Sequence, residues 1–277
     1  MNANLERFTG FADTYDRYRP ALPLVIREIL SQLAGGAYPH RVVDIGAGTG
    51  LSTRLWKGSG AAVIGIEPSA DMRSAFAQAQ ALDPALSNIR FQEGTSMKTG
   101  LPDACADIVS VSQALHWMEP EPTFAEVTRI LRPGGVFAAI DCDWPPTIHP
   151  ALDVAFKACM AKARAVEKAH GVSPGVQRWP KDQHLLRMQE SGRFGFTKEI
   201  FCHSRETGGV GRLIGLAQSQ STVAALLKHG FSEEEIGISD LRQAAERILA
   251  GRVVPWWWSY RLRVGINETA LVAVDEG

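Results

Sequence analysis

Three glycines, Gly46, Gly48 and Gly50, stand at alternate positions directly after an apolar run that contains Asp44. Glycine has no side chain to keep a ligand away from the backbone, and it tolerates the left-handed angles of a sharp turn. Glu67 ends the next apolar run, where its carboxylate can accept hydrogen bonds from both hydroxyls of a ribose. The pattern therefore predicts a turn that binds a ligand containing a nucleoside.

The spacing of the glycines separates two classes of nucleotide ligand. A dinucleotide fingerprint reads G-x-G-x-x-G/A, and its last small residue lets the helix N-terminus approach a pyrophosphate. Leu51 occupies that last position here, and the third glycine falls one place earlier. The turn therefore favours a ligand with an adenosine and no pyrophosphate, and a nicotinamide oxidoreductase is the less favoured alternative.

Alternating strands and helices must position this turn. Short apolar runs rich in β-branched residues predict four strands in the first half of the chain, at 41–45, 62–66, 107–111 and 136–140. Helix-like stretches alternate with them at 51–56, 71–81 and 124–131. The later part of the chain predicts helices and strands at 151–170, 196–204, 213–229, 239–250 and 253–266. Such alternation is typical of a parallel sheet covered on both faces.

Composition excludes several classes of function. The 277 residues carry a formal charge of -1, which gives no support for electrostatic capture of nucleic acid. No apolar run is long enough to span a membrane, and the first residues lack the pattern of an export signal. The four cysteines are far apart, and no histidine pair has metal-binding spacing, so we expect no metal and a reduced, cytoplasmic compartment.

Four segments, in this order along the chain, carry a resemblance to a known family. They are the glycine turn with Glu67, then Gly94-Thr95-Ser96 with Leu101-Pro102, then Ala106-Asp107-Ile108-Val109, and then Leu131-Arg132-Pro133-Gly134-Gly135-Val136. Together they resemble the class I S-adenosylmethionine-dependent methyltransferases over residues 40–141. The resemblance implies that S-adenosylmethionine is the cofactor and that the protein is a methyltransferase.

Two further segments are similar to the small-molecule branch of that family, which includes trans-aconitate and ubiquinone or menaquinone methyltransferases. One is the aromatic and basic stretch at 11–20, and the other is Ser112-Gln113-Ala114-Leu115-His116-Trp117 after the fourth strand. The similarity fades after Trp144. It implies a small-molecule acceptor, and we expect a monomer or a homodimer.

The resemblance implies a fold of the α/β class with a Rossmann-like, seven-stranded, mostly parallel sheet, helices on both faces, and a helical cover inserted after strand 5. We expect a single methyltransferase domain over 1–277. Its expected parts are an N-terminal helical segment at 1–39, a cofactor-binding core at 40–144, a helical substrate cover at 145–195, and C-terminal strands and helices at 196–277 that complete the sheet.

The resemblance also implies the cofactor contacts, residue by residue. Candidate cofactor-binding residues are Tyr15, Tyr18, Arg19, Asp44, Gly46, Ala47, Gly48, Glu67, Pro68, Met72, Thr95, Ser96 and Gln113. Asp44 would orient the turn or bind the amino group of the cofactor indirectly, and Glu67 would bind the ribose. Met72 would cover the adenine, or else only pack in the core. Relatives commonly place an acidic residue where this chain has Thr95, so a hydroxyl or the backbone of Thr95 or Ser96 would have to meet the adenine.

Candidate catalytic residues are His116 and Gln113, which follow the fourth strand. An imidazole with its ordinary pKa of about 6.5 suits a general base at neutral pH. The alternative is a histidine that only shapes the pocket. Candidate acceptor-binding residues are Tyr18, His116, Trp117, Trp144 and Trp179.

Three consecutive tryptophans, Trp256 to Trp258, lie on the last predicted strand. Neighbouring residues of a strand face opposite sides, so these rings cannot all line one pocket, and we expect mostly core packing. Three functions remain open: methylation of an aromatic or heteroaromatic small molecule on O, N or C; carboxyl methylation of a small di- or tricarboxylate; and a catalytically inactive S-adenosylmethionine-binding subunit.

Overall fold

The computed structural model describes residues 16–36 and 39–267, so Tyr15 lies outside the described residues. Within them, seven strands form one sheet in the order β3-β2-β1-β4-β5-β7-β6. The strands are β1 (Arg41–Ile45), β2 (Ala62–Ile66), β3 (Ile89–Gln92), β4 (Ala106–Ser112), β5 (Leu131–Cys142), β6 (Phe194–Gly208) and β7 (Val254–Asn267). The predicted α/β fold with a seven-stranded sheet is confirmed.

Helices connect most of these strands. The α-helices are α1 (Leu24–Leu33), α2 (Ala70–Leu82), α3 (Pro120–Ile130), α4 (Pro150–Ala169), α5 (His184–Glu190), α6 (Val210–Gln218), α7 (Ser221–Lys228), α8 (Glu233–Ile236) and α9 (Ile238–Leu249). Short 3₁₀ helices lie at Thr53–Trp56, Pro84–Leu86, Leu115–Trp117 and Lys181–Gln183. Helix α2 begins where the Ser69 hydroxyl accepts the amide hydrogen of Met72, and α3 begins at Pro120, which suits the first turn of a helix.

Parallel pairing brings the ends of several strands to one edge of the sheet. Strand β1 pairs in parallel with β2 and with β4, while β3 and β5 add in parallel outside them. Asp44 is opposite Gly65 on one side and Ser110 on the other. The loops after β1, β2 and β4 therefore leave the sheet at the same edge, where ligands bind in open α/β sheets.

Apolar side chains of α2 and α3 pack against the sheet and stabilise it. One face of α3 buries Phe124, Val127 and Ile130 against strand residues such as Val109 and Phe137. On β2, a Cβ at Gly65 would lie 2.4 Å from the Phe91 ring, so only glycine allows that ring to cross the strand. The Phe91 ring then stacks on Phe76 of α2 at 3.9 Å.

The chain divides into two compact units. The sheet unit comprises Ala21–Asp141, Arg178–Cys202 and the strand residues from Tyr260 onward. The helical unit comprises the described residues up to Pro20, together with Cys142–Gln177 and His203–Ser259. The predicted cover at 145–195 is shared between them, because residues 145–177 belong to the helical unit and residues 178–195 to the sheet unit.

Three details differ from the sequence prediction. The helix expected at 51–56 is a 3₁₀ helix at Thr53–Trp56, because Leu51 and Ser52 form a turn in which the Ser52 hydroxyl is bound to Asp44. The helix expected at 213–229 is interrupted at Ser219 and Gln220, where Arg19 donates to the Ser219 carbonyl that a continuous helix would use. Strand β3 has only four residues, and two of them are half-buried. It therefore contains no apolar run from which the sequence could predict a strand.

Strand β7 confirms the prediction for the tryptophan triplet. Trp256 and Trp258 are fully buried, whereas Trp257 between them is 53% exposed. The described residues contain no helix long and apolar enough to cross a membrane. Among the same residues, no three His, Cys, Asp or Glu side chains cluster as a metal site would require.

Candidate functional site

The glycine turn after β1 uses its glycines for different purposes. All three have positive φ angles, 70° at Gly46, 57° at Gly48 and 88° at Gly50. A Cβ at Gly46 would lie 2.8 Å from Met118, and one at Gly50 would lie 2.5 Å from Phe76. A Cβ at Gly48 would meet nothing within 4 Å. Gly46 and Gly50 therefore pack the turn against the protein, and Gly48 exposes its backbone to open space.

Glu67 at the end of β2 is joined to this turn. Its Oε2 accepts the amide hydrogen of Gly48 at 2.9 Å, and its Oε1 accepts that of Ser69 at 2.9 Å. Burial raises the pKa of Glu67, and the hydrogen bonds from Ser69 and Gly48 oppose that rise. An ionised carboxylate has about four acceptor positions, so two of them remain for the hydroxyls of a ligand.

Asp44 fixes the turn from below. Its Oδ2 accepts hydrogen bonds from the hydroxyls of Ser52 and Thr53, each at 2.7 Å, and its Oδ1 accepts one from Ser110 at 2.9 Å. The side chain is buried, and burial raises its pKa although the three hydroxyls oppose the rise. The geometry gives Asp44 the contacts of a residue that orients the turn.

The remaining predicted residues on β1 and β2 lie close to this centre. Ala47 is buried and donates its amide hydrogen to the Ile66 carbonyl at 3.2 Å. Pro68 is half-buried, directly after Glu67. Met72 is 4% exposed in the first turn of α2, where its amide hydrogen reaches Ser69 Oγ at 3.4 Å.

The loop after β3 is held by its backbone and by α3. Thr95 and Lys98 exchange two backbone hydrogen bonds, which closes a tight turn. The Ser96 hydroxyl is buried and accepts a hydrogen bond from Thr123 at 3.0 Å. Ser96 Oγ is thus engaged with α3, whereas Thr95 lies in the backbone turn with Lys98.

The exit of β4 carries the predicted catalytic residues. Gln113 has a φ of 53°, a strained angle for a residue other than glycine, and its amide hydrogen is bound to the Ile140 carbonyl at 2.8 Å. Residues held at such angles recur at active sites and ligand-binding loops. His116 and Trp117 follow in a 3₁₀ turn, and their rings lie 4.6 Å apart.

A segment of the predicted cover, Arg178 to Lys181, is attached to this exit. The Trp179 amide hydrogen is donated to the His116 carbonyl at 2.8 Å. The Arg178 guanidinium lies 4.8 Å from the centre of the Trp117 ring, and the Lys181 ammonium donates to Gln113 Oε1 at 2.7 Å. Three predicted residues, His116, Trp117 and Trp179, are thus brought together in the sheet unit.

Behind Lys181 lies a charged network that the sequence did not reveal. Asp141, buried at the end of β5, is 2.7 Å from Lys181 Nζ and 3.0 Å from an Arg263 nitrogen. Glu199 lies 2.8 Å from Arg263 on the other side. His184 is buried with its Nε2 4.0 Å from Asp141, and burial lowers its pKa to about 4 even though Asp141 opposes the change.

Only Asp141 had a detectable signal in the sequence, since it directly follows a predicted strand. Carboxylates in that position lie at the ligand-binding edge of a parallel sheet. Lys181, His184 and Arg263 approach Asp141 from distant parts of the chain. No spacing pattern connects them.

Three further predicted residues, Tyr18, Arg19 and Trp144, belong to the helical unit. The Tyr18 ring packs on Gly215, where an added Cβ would lie 2.4 Å from it. Arg19 donates to the hydroxyl and the carbonyl of Ser219 at 3.1 and 2.7 Å. The Arg19 guanidinium also lies 4.7 Å from the centre of the Trp144 ring, so it occupies one face of that ring.

Comparison with known proteins supports the interpretation of this geometry. Residues 43–139 match a family model described as a methyltransferase domain. An uncharacterised methyltransferase of Mycobacterium tuberculosis is 38% identical over 133 residues, which are 46% of this chain and 49% of that protein. A malonyl-[acyl-carrier protein] O-methyltransferase of Pectobacterium atrosepticum is 33% identical over 134 residues, 48% of this chain and 50% of that protein.

The chain thus spans about half the length of the curated relatives it matches. The crystal structure of a candidate type II methyltransferase from Anaeromyxobacter dehalogenans shares the fold, with a TM-score of 0.65, 19% identity, and coverage of 90% of this chain and 98% of that one. The matched segment contains the glycine turn, Glu67, Thr95 and the exit of β4. Residues 43–139 therefore match a methyltransferase domain, and the fold is that of a solved methyltransferase structure.

Proposed function

We propose that the protein transfers a methyl group from S-adenosylmethionine to a small-molecule acceptor. The main observation in support is the hydrogen bond between the glycine turn and the end of β2. The Gly48 backbone amide donates it to Glu67, and the side of Gly48 where a Cβ would lie faces open space. A ligand can approach the Gly48 backbone without meeting a side chain, and Glu67 keeps acceptor positions for ribose hydroxyls. The residues present therefore fit an adenosine with a methionine side chain.

When it is bound, S-adenosylmethionine supplies a methyl group on a positively charged sulfur, and an O, N or C atom of the acceptor takes that methyl by in-line displacement. The turn from Gly46 to Gly50 would hold the methionine part, and Glu67 would bind the ribose. Met72 and Thr95 would contact the adenine. Alignment and exclusion of water are the main contributions expected of the protein, and positioning alone can supply up to about 7 to 11 kcal/mol.

His116 is the proposed general base. Its turn follows the strand end that carries Gln113, and Trp179 holds its backbone through the hydrogen bond to the His116 carbonyl. Proton removal would matter most for a neutral hydroxyl or a carbon acceptor and least for a carboxylate. The competing role is a histidine that shapes the pocket without exchanging a proton.

Two acceptor classes follow from the surroundings of the β4 exit. Trp117 and Trp179 supply aromatic surface, which favours an aromatic or heteroaromatic acceptor. However, the Arg178 guanidinium lies 4.8 Å from the Trp117 ring and the Arg187 guanidinium lies 5.3 Å from the Trp179 ring. These cations favour the second candidate, an acceptor that carries a carboxylate, such as a small di- or tricarboxylate.

An activity screen tests the proposal and separates it from an inactive binding subunit. The purified protein would be incubated with S-adenosylmethionine and a panel of phenols, aromatic amines, aromatic acids and di- or tricarboxylic acids. We expect release of S-adenosylhomocysteine with at least one acceptor class, together with a product heavier by one methyl group. Binding of the cofactor with no turnover on any class would instead favour the inactive subunit. A cytoplasmic location and a monomeric or homodimeric state stay predictions.

The role of His116 has its own test. With a hydroxyl or carbon acceptor, we expect His116→Ala and His116→Gln to lower kcat by about 100-fold and to abolish the acidic limb of the pH profile, because a general base typically contributes that much. If both variants kept full turnover between about pH 6 and 9, the catalytic-base hypothesis would be wrong.

A further inference from the structure

The side chain of Gln113 has only one possible orientation at the β4 exit. Lys181 Nζ lies 2.7 Å from the side-chain oxygen of Gln113. An ammonium group is a donor and never an acceptor, so the atom that faces Lys181 must be the carbonyl oxygen of the Gln113 amide. The NH₂ group of the amide therefore points away from Lys181 with two hydrogens to donate.

Lys181 is held in place from behind. Its ammonium also lies 2.7 Å from Asp141 Oδ1, and Asp141 in turn binds Arg263. The Lys181 side chain is 34% exposed, while Asp141 is 7% exposed. An ammonium has three hydrogens, of which Asp141 and Gln113 take two, so one remains for a group on the exposed side.

Lys181 and Gln113 therefore offer only hydrogen-bond donors to a ligand on their exposed side. Along residues 178–187, the positive charges of Arg178, Lys181 and Arg187 outnumber the negative charge of the exposed Asp182. Asp141 is shared between Lys181 and Arg263, and His184 beside it is neutral because burial lowers its pKa to about 4. Donors backed by excess positive charge are suited to an anionic oxygen.

We propose that Lys181 and the NH₂ group of Gln113 together bind an anionic oxygen of the acceptor, most simply a carboxylate. This inference rests on the proposed methyl transfer and specifies its acceptor class. The anion would lie at the carboxyl edge of the sheet, next to the turn that carries His116. An aromatic acid satisfies both the aromatic surroundings and this pair of donors.

A binding experiment tests the pair with defined probes. Benzoate and succinate would be compared with the uncharged benzamide and succinamide, at about pH 7.5 in about 150 mM salt so that nonspecific attraction is screened. The protein would be saturated with S-adenosylhomocysteine, and affinities would be obtained from ligand-observed NMR titrations. We expect the carboxylates to bind about tenfold more tightly than their amides, as one charge-assisted hydrogen bond provides.

The variants distinguish the proposed pair from general charge. Lys181→Met and Gln113→Glu should abolish the carboxylate preference, because the first removes the ammonium and the second places a carboxylate against the probe. Lys181→Arg should retain most of the preference. The control is Lys157→Met, which removes an exposed lysine paired with Asp153 on α4 and should leave the preference unchanged.

The outcomes distinguish a failure of the anion-binding inference from a failure of the proposed methyltransferase function on which it rests. If S-adenosylhomocysteine does not bind to the wild-type protein, the proposed methyltransferase function itself fails. If S-adenosylhomocysteine binds but carboxylates gain nothing over amides, the donor pair is not an anion site and the inference is overturned. The same holds if Lys181→Met and Gln113→Glu, folded and loaded with S-adenosylhomocysteine, keep the preference. Should Lys181→Met fail to fold, Gln113→Glu and Lys181→Arg decide between these outcomes.

Discussion

The backbone amide of Gly48 donates to Glu67 Oε2 at 2.9 Å, which joins the loop after β1 to the end of β2. The two positions are 19 residues apart in the chain and come together because β1 and β2 pair in parallel. A single ligand with a ribose and a flexible polar tail can therefore contact both. Neither residue alone would indicate such a ligand.

Gly48→Ala should weaken binding of S-adenosylmethionine by about tenfold or more. The added methyl group would occupy the open side of the turn, and its φ of 57° costs about 1 to 2 kcal/mol for a residue with a Cβ. Isothermal titration calorimetry would measure the loss of affinity, and thermal unfolding would measure the loss of stability.

The matched control is Gly211→Ala in helix α6, where an added Cβ also meets nothing within 4 Å. Its backbone is helical, so alanine should raise the free energy of unfolding by about 0.5 to 1 kcal/mol and leave cofactor binding unchanged. Equal cofactor affinity in the Gly48 variant and the wild type would show that the Gly48 backbone does not face the ligand.

His184 should make stability depend on pH in a defined interval. Burial lowers its pKa from 6.5 to about 4, so between these values the unfolded chain binds more protons than the native protein. The free energy of unfolding therefore falls as the pH is lowered from 6.5 to about 4, by up to roughly 3 kcal/mol.

Urea denaturation at a series of pH values would measure this dependence. His184→Gln should flatten the curve in that interval, whereas His40→Gln, which removes an exposed histidine, should not. The account of His184 is wrong if the wild-type curve is already flat there.

Glu126 should make the free energy of unfolding depend on pH in a lower interval than His184 does. Burial disfavours its ionised form, but hydrogen bonds from Arg129 and Thr99 outweigh burial and lower its pKa to about 2. Its stabilising effect is complete above its ordinary value of 4.5 and is lost as the pH falls from there to about 2. Glu126→Gln should therefore cost about 2 kcal/mol at neutral pH, since Arg129 is partly exposed.

The control for Glu126 is Glu121→Gln on the same helix, where an exposed carboxylate pairs with Arg193. Exposed pairs contribute little, so this change should cost less than about 0.5 kcal/mol. Chemical denaturation of both variants at neutral pH provides the comparison. Equal losses would contradict the special role of Glu126 in anchoring the loop after β3.

The part of the fold nearest to β1 and β2 was predictable because local patterns determine it. Apolar runs predicted β1 and β2 at their observed bounds, and the glycine spacing predicted the turn that follows β1. The alternation of faces along β7 predicted that Trp256, Trp257 and Trp258 would not share one environment, and the burial of the outer two confirms it.

The network around Asp141 was not predictable because its partners come from α5, β7 and a 3₁₀ helix far along the chain. Lysine, histidine and arginine in those elements have no local feature that separates them from surface residues. The break between α6 and α7 was missed for a similar reason, since it depends on Arg19 binding Ser219 from the opposite end of the sequence. Tertiary contacts, not local propensity, decide such positions.

The measurement that tests the central claim most directly is the affinity for S-adenosylhomocysteine of the wild type, Glu67→Gln and the control Glu28→Gln, which changes an exposed residue of α1. Titration calorimetry at about pH 7.5 should show binding by the wild type with no heat from NAD, and a loss of about tenfold to 100-fold in Glu67→Gln only. The Glu28 variant should match the wild type. A wild-type protein that does not bind S-adenosylhomocysteine, or a Glu67 variant that binds it as tightly as the wild type, would contradict the account.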